Sequence, residues 1–144
     1  MTGEPKLSDA AKQLMETRSM GELAERMGID LLELSAEHTV ATMPVEGNRQ
    51  PLGLLHGGAF VVLAESLGSM SANVWAFPKG KFAVGIEVNA SHSGSATSGL
   101  VKAVCSAISL GKTLTVHEIV VTDENGKRLS TVRITNLLRD RKAD

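Results

Sequence analysis

The rhythm of apolar and polar positions changes twice along this chain, from alternation to a long apolar run and back again. The run lies between His56 and Lys79, where Glu65 is the one formally charged residue and no Pro interrupts before Pro78. Its apolar residues occupy nearly every angle of a 3.6-residue wheel, which predicts a helix buried all round. Gly57 and Gly58 stand where it begins, Asn73 and Pro78 near where it ends. Glu65 therefore falls in the middle of a buried helix, where a carboxylate without a partner is costly. Such a residue is paired in the core, turned to a seam between subunits, or kept for its chemistry.

Upstream, residues 1–7 read as a loose tail. Ser8 or Asp9 suits the N-cap of a short helix with Leu14 and Met15 on one face. A second helical stretch at 19–27 stops at Gly28, a residue suited to a left-handed cap. Residues 29–36 and 38–43 read as two strands, the second β-branched enough for a strand half facing solvent. Downstream, Pro78-Lys79-Gly80-Lys81 breaks the pattern, and β-like segments follow at 82–91, 100–110, 113–122 and 128–138. Asn125-Gly126, between the last two, marks a tight hairpin. Two strands, one long helix and four strands predict an α+β domain on an antiparallel sheet. The chain reads as a single domain, its body at 29–144 preceded by a tail and helical segment at 1–28.

Composition narrows the partners. A length of 144 residues suits one core. A net charge of -1 gives nothing to attract nucleic acid or an anionic membrane, and 3% aromatic content argues against base-stacking platforms. Cys105 stands alone, so no internal disulfide forms, and a reducing compartment is expected. The first residues contain no apolar segment of a signal peptide, and Glu65, Asn73 and several Ser and Gly interrupt the long run. These features predict a cytoplasmic protein that binds neither nucleic acid nor membrane.

The chemistry gathers around the start of the helix. Gln50-Pro51-Leu52-Gly53-Leu54-Leu55 leads into His56-Gly57-Gly58, a polar loop delivering a His and bare amides to a helix N-terminus. Such amides lack intrahelical acceptors and carry the positive end of the dipole, which suits an oxyanion. Ser69 follows Glu65 by four residues and shares its helix face. A carboxylate, an oxyanion-binding helix start, a His, a Gln and a hydroxyl suggest acyl transfer.

The composite Gln50-Pro51…Gly53-Leu54-Leu55-His56-Gly57-Gly58…Leu63-Ala64-Glu65-Ser66 closely resembles the hotdog-fold acyl-CoA thioesterases. Its nearest match is the branch with 4-hydroxybenzoyl-CoA and 1,4-dihydroxy-2-naphthoyl-CoA thioesterases, and the resemblance covers about residues 31–138. It implies a sheet wrapped round the helix, two protomers sharing a continuous sheet, and dimers with shared sites assembled into a tetramer. It also implies hydrolysis of an aromatic acyl-CoA, with coenzyme A entering as part of the substrate and no separate cofactor. On the matched positions, Glu65 becomes nucleophile or general base and the Gly57 amide the oxyanion donor. Gln50 and His56 assist at the carbonyl, and Ser69 positions the water. The pantetheine arm and nucleotide fall to Gly85, His92, Ser93, Gly94 and Ser95, and to Ser109, Leu110, Gly111, Lys112, Thr113 and Leu114. Relatives often carry an Arg where Ser93, Gly94 and Ser95 stand, so Lys112 is the nearest cation in the matched segments, with Lys79, Lys81 and Arg139 outside them. A hotdog dehydratase or hydratase, or a non-catalytic acyl-CoA-binding protein, would use the same fold.

The remaining candidates read as structural. His38 is expected at the surface and His117 on the solvent face of a strand, while Cys105 suits the core. The histidines show no metal-ligand spacing, and no metal is expected. Glu65 lies eight residues after Gly57, about 12 Å along one helix axis, so one helix cannot present both to one carbonyl. The site is expected to be shared across a dimer.

Overall fold

Among residues 3–142, which the computed structural model describes, alternating strands build one seven-stranded sheet. In chain order the elements are β1 (Lys6–Leu7), α1 (Asp9–Met15), α2 (Glu22–Met27), β2 (Asp30–Leu34), β3 (His38–Pro44) and α3 (Gly57–Ala76). Then come β4 (Lys81–His92), β5 (Leu100–Leu110), β6 (Leu114–Thr122) and β7 (Arg128–Asp140). The sheet order is β1-β2-β3-β5-β6-β7-β4, with every neighbouring pair antiparallel except β1 with β2. This is the α+β antiparallel sheet expected from the alternation, in the hotdog arrangement that the resemblance implies. Residues 6 and 7 are not a loose tail. They pair with Glu33 and Leu34, and the Ser8 side chain accepts from the Ala11 amide to start α1 at once.

The helix α3 crosses one face of the sheet and contacts β3 to β7. Phe60, Leu63, Ala64 and Leu67 pack into a core with Met43, Val101, Ala103, Ile119, Val121, Val132 and Ile134. At Gly68 a Cβ would stand 2.3 Å from Ile134 Cγ2, so glycine lets the helix press onto β7. Nearer its C-terminus, Val74 joins a second cluster with Ala11, Leu14, Leu31 and Leu34. By length and composition the stretch Gly57–Lys79 could cross a membrane, yet 56% of its apolar window is buried inside the protein.

Burial all round is not what α3 achieves. Gly58 and Glu65 are exposed, and Val61, Val62, Ser66 and Ser69 are half-buried along the same stripe. One sheet covers one side of a helix, and the apolar wheel gives no sign of which side stays open. Glu65 is therefore a carboxylate at the surface of the protomer, not in its core.

The β6–β7 connection is the tight hairpin expected at Asn125-Gly126. Asp123 N donates to Lys127 O, Gly126 takes a left-handed φ of 82°, and Asn125 keeps an ordinary φ. That is a three-residue loop closed by a glycine bulge, not a two-residue Asn-Gly turn. His117 is buried, not solvent-facing, because it is in phase with Thr115, Ile119 and Val121 on the inner face. Its Nε2–H donates to Ala36 O at 2.8 Å, which leaves Nδ1 an acceptor without a partner among the described residues.

Burial holds the His117 imidazole below the usual histidine range, against smaller opposing effects of the Ala36 hydrogen bond and Glu37. The unfolded chain then binds more protons than the native state below about pH 6.5, so stability falls as pH drops through that range. Urea midpoints measured from pH 7.5 to 5.5 should decline in the wild type and flatten in His117→Gln. A variant with the wild-type slope would remove His117 as its source.

Candidate active site

The loop before α3 folds back on itself. Asn48 O accepts from His56 N, Gln50 N donates to Leu54 O, and Arg49 bridges to Leu55. Leu55 N then donates to Ala96 O, and the Arg49 guanidinium donates twice to Thr97 O, at 3.2 and 3.0 Å. The loop is thereby pinned to the segment after β4, and Gln50 stands across the small ladder from the helix start.

Three side-chain and backbone groups there have spent their acceptors and kept their donors. His56 is the N-cap, and its Nδ1 accepts from Gly58 N at 2.8 Å, so the neutral ring carries its proton on Nε2. Gln50 Oε1 accepts from Leu52 N, which leaves the amide NH₂ to donate. Of the first four helix amides, Gly58 bonds to His56 Nδ1 and both Ala59 and Phe60 to His56 O, while Gly57 has no acceptor among the described residues. An unpaired amide at the positive end of a 20-residue helix is suited to a developing oxyanion.

His92 reaches the same place from β4. Its Nδ1 lies 2.8 Å from Ser130 Oγ, and its ring packs on Phe60 with centroids 5.2 Å apart. A Cβ on Gly57 would sit 3.1 Å from His92 Nε2, so residue 57 has little room for a side chain. An apolar groove of about 340 Å³ opens beside the helix start, lined by Met27, Asn48, Arg49, His56, Gly58, Ala59 and Val62.

Glu65 has no hydrogen-bond or ion-pair partner among the described residues and faces the edge strand β4. A Cβ on Gly85 would be 3.3 Å from Glu65 Oε1, 3.6 Å from Ile134 Cδ1 and 3.8 Å from Asn136 Oδ1, so glycine lets the Glu65 carboxylate lie close against β4. Ser69, one turn after Glu65, donates to Asn136 Oδ1 over a long 3.4 Å. The lone thiol takes no part: Cys105 is buried, and burial pushes it up to about 12.

The thioesterase superfamily pattern matches residues 52–130. The chain belongs to the thioesterase superfamily. It is 41% identical to the proofreading thioesterase EntH of Cronobacter turicensis over 85% of this chain and 90% of that protein. It is 43% identical to the 1,4-dihydroxy-2-naphthoyl-CoA hydrolase of Escherichia coli over 79% of this chain and 79% of that one. Among solved structures, a mutant of thioesterase PA1618 from Pseudomonas aeruginosa superposes with a TM-score of 0.80 at 39% identity, covering 89% of this chain and 92% of that one. The protein is a hotdog thioester hydrolase.

Within one protomer this thioesterase does not bring all the expected residues together. Ser93, Gly94 and Ser95 follow His92 at the N-terminal end of α3. There the amides of Ser93 and Gly94 both donate to Leu129 O, at 2.9 and 3.1 Å. Ser95 faces Asp123 and Glu124 across a polar hollow, an unfavourable setting for a phosphate. Ser109, Leu110, Gly111, Lys112, Thr113 and Leu114 lie at the other end, where Trp75 Nε1 donates to Gly111 O at 2.9 Å. Eighteen residues of helix, about 27 Å, separate Gly57 from Trp75. Lys112 has no ion pair among the described residues, whereas Lys79 lies over the Trp75 ring and Lys81 pairs with Asp140. Arg49 and Asn136 were not singled out from the sequence. A loop Arg carries no local signal, but an amide at an inward strand position, in phase with Ile134 and Leu138, is a recognisable anomaly.

Proposed function

We propose that this thioesterase hydrolyses aromatic acyl-CoA thioesters at sites shared between two protomers. The observation that carries the reading is the donor cluster at the helix start, where the Gly57 amide is without an acceptor and both His56 and Gln50 retain only donors. The thioester carbonyl oxygen is held at the Gly57 amide with His56 and Gln50 beside it. Glu65 either attacks the carbonyl carbon or takes a proton from the attacking water. If water attacks, its oxygen bonds to the carbonyl carbon, the C–S bond breaks, and coenzyme A leaves as thiolate with the free acid as co-product. If Glu65 attacks, the same C–S cleavage leaves an acyl-Glu65 anhydride, which water then hydrolyses to the free acid and the Glu65 carboxylate.

Geometry supports the shared site. Gly57 and Glu65 of one helix stand about 12 Å apart along its axis. The two segments matched to coenzyme A binding lie at opposite ends of α3, and an antiparallel partner helix brings one end of each copy together. The strand β4 is a free edge of twelve residues with Val84 and Ile86 exposed, the kind of edge that pairs with another strand. The aromatic preference is supported by the groove at Met27, Ala59 and Val62, which falls in the range of small-ligand pockets. It is also supported by the similarity to a naphthoyl-CoA hydrolase.

The test is a panel of benzoyl-, hydroxybenzoyl-, hexanoyl- and crotonyl-CoA, following free thiol and the loss of the crotonyl double bond separately. Aryl thioesters are expected to lead hexanoyl-CoA in kcat/KM by about tenfold or more, the discrimination a shaped apolar pocket provides. Hydration of crotonyl-CoA without thiol release would make the protein a hydratase and end the proposal.

A further inference from the structure

We infer that Asn136 is a positioning residue for Glu65, acting by fixing the direction of the Ser69 hydroxyl. The inference rests on the proposed role of Glu65. Asn136 is fully buried on the inner face of β7, yet its Nδ2 has no partner among the described residues. Across the ladder its register neighbour Thr115 is also buried, with Oγ1 likewise unpartnered. A buried amide serving stability alone would close that pair, because an unmade buried hydrogen bond costs more than a made one contributes. Instead its Oδ1 is given to Ser69, and both it and Glu65 Oε1 lie within 4 Å of the point where Gly85 lacks a Cβ. No more than about 7 Å separates Asn136 Oδ1 from Glu65 Oε1, since both flank one point at Gly85.

The consequence follows from the proton count of a hydroxyl. Serine has one O–H to donate. With it directed to Asn136, Ser69 can only accept, and its oxygen takes a hydrogen bond from water beside Glu65. Without Asn136, the same O–H is free to turn one helical turn back and donate to the Glu65 carboxylate. A hydrogen bond to the charged form stabilises it and weakens the carboxylate as a base. Asn136 thus keeps Ser69 from quenching Glu65. Around Asn136 stand Ser69 from α3, Gly85 from β4 and Thr115 from β6, with His117 two residues along β6 on the same face. Of the three side chains nearest that point at Gly85, those of Glu65, Ile134 and Asn136, Glu65 is the ionisable one.

The test is a cycle of Asn136→Leu, Ser69→Ala and the double variant, read as the pH profile of kcat/KM on an aryl-CoA. Asn136→Leu should move the acid limb to lower pH by roughly half a unit or more and lower kcat about tenfold, with KM little changed. In the Ser69→Ala background the same substitution should leave the limb where Ser69→Ala puts it. Asn136→Ala serves if the leucine variant fails to fold, and Thr115→Val is the control that keeps the wild-type limb. An unmoved limb, or an equal shift with and without the Ser69 hydroxyl, would reduce Asn136 to a packing residue. If Glu65→Ala keeps wild-type turnover, the parent mechanism fails and this inference with it. If Glu65 is essential and the cycle is additive, only this inference fails.

Discussion

Glu65→Ala should fold like the wild type and lose roughly 10²–10⁴-fold in turnover, the usual range for an acid–base group. Both halves of that expectation come from the geometry. The side chain lies on the open stripe of α3 and makes no hydrogen bond or ion pair among the described residues. Its removal therefore leaves no buried group unpaired, and surface changes of that kind usually alter stability by less than about 0.5 kcal/mol. Structural glutamates of a core behave in the opposite way, with stability falling before activity is measured. Thiol release from benzoyl-CoA gives the first half and a urea midpoint gives the second. Glu65→Gln, which keeps the shape and removes the charge, should be about as inactive. Turnover near wild type in either variant would sink the mechanism.

The order and type of the main elements were legible because each strand alternates and the central helix is long. What escaped is instructive in physical terms. A two-residue strand such as β1 has no period to detect, and its pairing depends on where α1 starts. The apolar wheel of α3 marked a helix with much to bury, but Val61 and Val62 look the same whether a sheet or a second copy covers them. His117 was misplaced although its phase with Ile119 and Val121 points inward; a polar name outweighed the alternation. At the site, the residue types at Gln50, His56, Gly57 and Glu65 pointed to acyl transfer. That the acceptors of Gln50 and His56 are spent on backbone amides is a matter of loop closure, which no spacing reveals. The separation of Ser93–Ser95 from Ser109–Leu114 likewise depends on topology, since the sheet order places the two turns at opposite ends of α3.

Two inactive chains should restore activity when mixed. The prediction follows from the length of helix between Gly57 and Glu65 and from the stripe Gly58–Val62–Glu65, which stays partly or fully exposed in the protomer. One chain carries Glu65→Ala. The other carries Gly57→Val, whose side chain would press on His92, since even a Cβ there stands 3.1 Å from Nε2. Each homodimer is then defective at both sites. In a two-fold dimer whose sites take Glu65 from one protomer and the Gly57 amide from its partner, the heterodimer collects both lesions at one site and leaves the other whole. Activity should therefore return to about half the wild-type value per heterodimer, one intact site of two. Exchange is followed independently, by labelling the two chains with a donor and an acceptor dye, and assembly by the sizes of the separate variants. Should the labelled chains exchange freely and the mixture stay inactive, each site must be built within one protomer. The 12 Å argument would then be wrong, and a bend of α3 or a second carboxylate would have to supply the missing reach.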